Sequence, residues 1–236
     1  MQARREPLVD IADENVTYSV AVRDTATGRT TAHQHGPDPA HPSASVVKLG
    51  ILAALLLRAQ DTGRELTAQE RVSAAEMIER SDNDAATALW HVIGGAPGQD
   101  AAHRRLGLRE SAATPDWGLS RTTATDQLIL LDAVFNDGAT LLSGPSRAFV
   151  ADLMTRVVAD QAWGVSAAGS SPALKNGWMP LSATGLWVIN SVGRVTASGR
   201  DILVAVLSGG HPTKKAGVAL VEAAARAAVS AADGVR

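Results

Sequence analysis

Cysteine is absent from the 236-residue chain, which removes disulfides, thiolate catalysis and cysteine-ligated metal and leaves the redox compartment open. Excess charge of either sign is missing too. A formal net charge of -2 gives no basic field for nucleic acid or for an anionic membrane. No apolar run approaches the ~20 residues of a membrane span. The longest, Leu49 to Leu57, follows Lys48 and is closed by Arg58. The opening residues, Met1-Gln2-Ala3-Arg4-Arg5-Glu6, lack the apolar core of a signal peptide. The compartment therefore stays open between the cytoplasm and, where a leader has been removed, the periplasm or the exterior. Aromatic residues make up only 3%, so Trp117, Trp163, Trp178 and Trp187 stand out, with core packing the default for each and cleft lining expected of some. Repeats and low-complexity segments are absent as well.

Against this background Ser45-Val46-Val47-Lys48 is unusual. The run Leu49-Gly50-Ile51-Leu52-Ala53-Ala54-Leu55-Leu56-Leu57 is apolar on every side at helical spacing and reads as a buried helix. An amine at the start of such a helix loses hydration, which lowers its pKa and favours the neutral, proton-accepting form. Ser45 lies three residues earlier, on the same helical face. A hydroxyl thus stands beside a candidate base at a helix N-terminus, whose free N–H groups favour developing negative charge. The same tetrad has a bland explanation, since serine is a favoured N-cap and an S-x-x-K match arises about once by chance in a chain this long.

Along the chain, residues 16–22 alternate as a strand, residues 24–28 supply a turn, and residues 29–33 return as a second strand. Residues 36–42, rich in glycine and proline, are expected to be irregular. From Ser45 to about Val158 the pattern is helical throughout. Capping-box signals lie at Thr67/Glu70 and Ser73/Glu76, a helix covers 84–93, and Pro97 opens another ending near Gly107. Thr122 or Thr123 caps a helix that stops at Asn136-Asp137-Gly138, and Ser143 with Pro145 begins the next. After Gly169 the period changes: residues 186–192 and 202–207 are strand-like, with residues 199–201 in the turn between them, and a helix runs from about Lys214 to Ala231.

Two further polar clusters complete a set. Ser81-Asp82-Asn83 falls at a turn between helices, and Lys175-Asn176-Gly177 comes just before the late strands, where a glycine permits close approach of a ligand. Ser-x-x-Lys, Ser-Asp-Asn and Lys-x-Gly in this order resemble the motifs of active-site serine penicillin-recognising enzymes. The chain most resembles the class A β-lactamases and their relatives among the low-molecular-mass penicillin-binding proteins, over nearly its whole length. The resemblance implies an α+β fold: an antiparallel sheet lobe (1–44 and 171–236) flanked by helices, an all-helical lobe (45–170), and an active site in the cleft between them. It also implies that Ser45 is acylated, Lys48 takes its proton, and Ser81 relays that proton to the leaving nitrogen in the field of Lys175. Asn83 is implied to bind a substrate amide and steady Lys48, and the backbone N–H groups of Ser45 and Trp178 to form an oxyanion hole. Asp82 is read as a turn-stabilising residue.

Two positions depart from the family pattern. The segment from Arg109 to Arg121 lacks the Glu-x-x-Leu-Asn pattern that carries the deacylating base, and its only acids are Glu110 and Asp116, both expected at the surface. Asn176 replaces the threonine or serine whose hydroxyl binds a substrate carboxylate; an amide can donate there, with different reach. His33 and His35 alternate as strand neighbours with no third ligand in pattern, so neither a metal nor another cofactor is expected. These features point to a monomeric serine hydrolase acting on a β-lactam-like, peptide or ester carbonyl, with impaired deacylation. The alternatives are a D,D-peptidase or transpeptidase-type penicillin-binding protein, and a non-catalytic ligand-binding or sensor protein.

Overall fold

The structure, a computed structural model, describes residues 8–11 and 13–234. In chain order its strands are β1 (Thr17–Asp24), β2 (Thr30–His35), β3 (Ala40–Pro42), β4 (Arg121–Thr123), β5 (Ser170–Pro180), β6 (Trp187–Ala197) and β7 (Arg200–His211). Its α-helices are α1 (Val47–Asp61), α2 (Ala68–Glu79), α3 (Asn83–Ile93), α4 (Gly95–Leu106), α5 (Ala124–Phe135), α6 (Gly144–Thr155) and α7 (Lys214–Gly234). Among the described residues, five strands form one antiparallel sheet in the order β2-β1-β7-β6-β5, which joins the two ends of the chain.

Burial on both faces explains the apolar run in β7. Ile202, Val204 and Val206 pack with Val221, Ala224 and Ala225 of α7, while Leu203, Ala205 and Leu207 join the core built on α1 and its neighbouring helices. A strand covered on both sides needs apolar residues at every position rather than at alternate ones. Helix α1 is the centre of the second core, with Leu49, Ile51, Leu52 and Leu55 wholly excluded from solvent.

Local chemistry fixes the helix starts. Thr67 and Glu70 form a reciprocal capping box for α2, Asp82 accepts from Ala85 N–H at the head of α3, Thr123 accepts from Asp126 N–H at α5, and Ser143 caps α6 with Pro145 in its first turn. Ser73 lies inside α2, because the Thr67 box has already started the helix.

The structure differs from the sequence-based expectation in four places. Residues 40–42 are not irregular but pair as β3 with β4, a ladder of three residues that also interrupts the helical stretch expected from 45 to 158. Ser45 does not open an α-helix; it sits in a 3-10 turn, Ala44–Val46, immediately before α1. Lys175-Asn176-Gly177 lies in the middle of β5 instead of preceding the strands, with Lys175 Nζ and Asn176 Nδ2 each donating to specific partners. Arg200 and Asp201 already belong to β7. Residues 1–7, expected in the sheet lobe, lie outside the described residues, as do residues 12, 235 and 236.

Candidate active site

The head of α1 meets the edge strand β5 and the turn before α3. Lys48, in the first turn of α1, is fully buried. Its Nζ is 2.6 Å from the Ser81 carbonyl oxygen, 2.7 Å from Asn83 Oδ1 and 3.2 Å from Ser81 Oγ. The Trp117 ring lies over the same amine, 5.0 Å from Nζ to the ring centroid. Burial lowers the Lys48 pKa to about 8, partly opposed by the negative charge of Asp82. Lys175 Nζ reaches Ser81 Oγ at 3.0 Å from β5 and also donates to its neighbour's carbonyl, Asn176 O, at 3.0 Å. Complete burial, and then the positive charge of Lys48, hold the Lys175 pKa well below the usual lysine range.

The backbone pays attention to this geometry at Ser81, which adopts a left-handed φ of 59° although it is not glycine. Such a conformation persists only where its surroundings impose it. Here it turns both the carbonyl and the hydroxyl of one residue toward Lys48. The Ser81 carbonyl and Asn83 Oδ1 are acceptors only, so they take two N–H bonds of Lys48 whatever its charge. The third position faces the Ser81 hydroxyl, where a charged Lys48 donates and a neutral one presents its lone pair, while Lys175 donates to the same Oγ.

Gly177 brings the serine turn onto β5. A Cβ at this position would lie 2.6 Å from Ser45 N, 2.8 Å from Val46 N and 3.0 Å from Ser43 O, so the close approach that glycine permits is that of the chain's own backbone. Ser45 is half-buried in that turn. The segment carrying Trp117 is tied to the same place, because Ser43 N–H donates to the Ser120 carbonyl at 2.7 Å.

Other expected site residues fall elsewhere. Asn176 is 1% exposed, and its Nδ2 donates to the carbonyls of Gln161 at 2.8 Å and Trp163 at 2.9 Å. Both amide hydrogens hold the loop before β5, and none is left for a substrate carboxylate. Gln161 in turn donates to the Arg80 carbonyl, so this loop buttresses the Ser81 turn. The Trp178 side chain packs with the core that α7 covers, edge-on to Trp163 and with Lys214 Nζ 3.8 Å from its ring centroid. Glu110 is exposed and accepts from Thr123 Oγ1, and Asp116 is exposed and accepts from Gly118 N–H. Among the described residues, neither is a hydrogen-bond partner of Lys48. His33 and His35 stack on Tyr18, at 5.9 and 5.8 Å between ring centroids. Of the residues around the site, Trp117 is among the tryptophans of which some were expected to line the cleft, whereas Gln161 and Asn190 carry no such signal beyond the polar Asn190-Ser191 pair inside an otherwise apolar strand.

Comparison with known proteins agrees with this arrangement. The chain is similar to a β-lactamase of Chitinophaga pinensis DSM 2588 in fold, with a TM-score of 0.77 at 19% identity, covering 91% of this chain and 93% of that one. It is equally similar to a mutant of PBP-A solved as its acyl-enzyme complex with penicillin-G, with a TM-score of 0.77 at 22% identity over 94% and 92% of the two chains. A class A β-lactamase representative from Bacteroides cellulosilyticus DSM 14838 gives a TM-score of 0.77 at 16% identity over 92% of each chain. These likenesses show the class A β-lactamase fold. In sequence the chain is 28% identical over 209 residues to the candidate lipoprotein LppW of Mycobacterium tuberculosis, which covers 85% of this chain and 66% of LppW. The chain thus spans slightly less than two thirds of the length of that relative. The beta-lactamase enzyme family profile matches residues 63–232, well over half of the sequence, and the chain belongs to that family.

Proposed function

We propose that the protein is a serine acyl-transfer enzyme that is acylated at Ser45 and releases the acyl group slowly. Support comes above all from one observation: the Ser81 hydroxyl lies between two buried amines, 3.2 Å from Lys48 Nζ and 3.0 Å from Lys175 Nζ. In the proposed reaction Ser45 Oγ attacks the carbonyl carbon of a β-lactam, peptide or ester, and its proton passes to neutral Lys48. The proton moves on through Ser81 Oγ to the leaving nitrogen or oxygen as the old bond to the carbonyl carbon breaks. Lys175 favours this transfer by donating to Ser81 Oγ. The N–H groups of Ser45 and Trp178 would stabilise the tetrahedral oxyanion, each donor worth roughly 3 kcal/mol. Asn83, exposed at the head of α3, steadies Lys48 and offers its amide to a substrate side chain.

Slow release is inferred from what surrounds Lys48. Hydrolysis of the ester needs a base to take a proton from water, and the side chain over Lys48 is the Trp117 indole, which is not a base. Glu110 and Asp116 face other partners. Such a site also suits a penicillin-binding D,D-peptidase, which shares the acylation step and passes the acyl group to an amine or to water. The test is labelling with a fluorophosphonate followed by peptide mapping. A single adduct on Ser45, absent from Ser45→Ala, supports the proposal; an unlabelled wild-type protein favours a non-catalytic binding protein and refutes it.

A further inference from the structure

Asn190 lies in β6 directly across the ladder from Gly177, and none of its surface is exposed. Its Nδ2 donates to the carbonyls of Pro42 and Ser43, each at 2.9 Å, and its Oδ1 accepts from Ser208 N–H at 3.1 Å. Both amide hydrogens are therefore on the backbone just ahead of Ser45. An amide in a buried strand costs desolvation that a valine at this position would avoid. Here three bonds offset that cost, one to the Ser208 N–H of β7 and two directed at the serine turn.

The turn it holds is also tied at Ser43, whose N–H donates to the Ser120 carbonyl, but among the described residues Asn190 alone bonds two of its carbonyls through one side chain. Ala44, immediately before Ser45, has a left-handed φ of 44°, which a residue with a Cβ adopts only when its surroundings impose it. No side chain caps the 3-10 turn or the start of α1. Gly177 sets how closely this turn approaches β5, and the neighbouring Asn190 amide fixes its two leading carbonyls.

We infer that Asn190 is a positioning residue that holds the Ser43–Val46 turn so that Ser45 Oγ and its N–H stand where acyl transfer needs them, a role resting on the acyl-transfer proposal above. Misplacing a reacting group by about 1 Å can cost on the order of 10²-fold in rate.

The test compares the second-order rate of Ser45 labelling by a fluorophosphonate in wild type, Asn190→Asp and Asn190→Thr, each well below its own melting temperature. Aspartate keeps the size and the acceptor for Ser208 N–H but turns an oxygen toward two carbonyls. Threonine suits a strand, keeps one hydroxyl donor and provides a folded variant if aspartate does not. The expected result is labelling slowed about 10²-fold in Asn190→Asp at neutral pH and less in Asn190→Thr. The ratio of the Asn190→Asp rate to the wild-type rate should rise as pH falls, because a buried carboxyl that takes up a proton regains a donor. Variants that melt lower yet label as fast as wild type, with a pH-independent ratio, would overturn the inference and leave acylation at Ser45 standing. A wild-type protein that does not label at all would overturn both.

Discussion

Lys48 and Lys175 reach the same hydroxyl, that of Ser81, from two different elements, α1 and β5, at 3.2 and 3.0 Å. Two ammonium ions this close to one oxygen would repel each other, and each lowers the other's preference for a proton. Loss of a proton from either amine relieves that repulsion, and burial lowers the pKa of both, Lys48 to about 8 and Lys175 well below the usual lysine range.

The first prediction concerns pH. With a Lys48 pKa of about 8, the rate of Ser45 acylation should rise with pH through that value as the base becomes neutral, then level off. Stability should follow the same group. Between about 8 and the ordinary value of 10.5, the unfolded chain holds a proton that the folded chain has released, so folding gains stability as pH rises through that window. Relative to Lys48→Met, wild type should gain up to ~3 kcal/mol between pH 7.5 and 10.5 in denaturant unfolding. A difference that stays flat with pH would show that burial does not shift this amine.

A second prediction separates the two halves of the Ser45–Lys48 unit. Ser45→Ala and Lys48→Ala should each abolish fluorophosphonate labelling, because a serine hydroxyl near neutral pH is a poor nucleophile without an adjacent base. Both should keep a cooperative thermal transition. Undiminished labelling of Lys48→Ala would remove lysine as the base.

Gly177→Ala supplies a third. The added Cβ would press within 2.6 Å of Ser45 N, against backbone rather than a flexible side chain, so the serine turn must move. We expect a loss of about 1–3 kcal/mol in stability and a larger proportional loss of labelling. An unchanged labelling rate would mean that the turn tolerates displacement.

Asn176→Thr is the fourth. Since both Nδ2 hydrogens hold the Gln161 and Trp163 carbonyls, the substitution should cost about 1–3 kcal/mol in stability by leaving at least one buried carbonyl unpaired. It should give no gain in acylation by penicillin-G. A clear gain would show that position 176 faces the ligand after all.

How much of this was legible in the sequence depends on the kind of signal. The all-apolar run after Lys48 pointed to the buried α1, and the caps at Thr67, Thr123 and Ser143 marked where helices begin, because those signals are local; Asp82, read as a turn residue, proves to be the cap of α3. Strand β5 was hidden because Lys175 and Asn176 are buried polar residues that donate to Ser81 and to the loop before the strand, and they break the apolar pattern of a buried strand. Strands β3 and β4 exist only through their mutual pairing, which no three-residue window records. Asn176 was expected to face a substrate; which way an amide points is decided by carbonyls far away in the chain. The same holds for Trp117, whose place over Lys48 depends on how its loop crosses the head of α1.

The most direct measurement of the central claim is a time course of intact mass after mixing with penicillin-G. General-base assistance to hydrolysis is worth about 10²–10⁴-fold, and the proposal that Ser45 lacks it predicts an acyl-enzyme that builds to one equivalent and persists through slow turnover. Peptide mapping should place the adduct on Ser45. Rapid repeated turnover with no adduct at any time would contradict the account and would identify Glu110, Asp116 or Lys48 as an effective base.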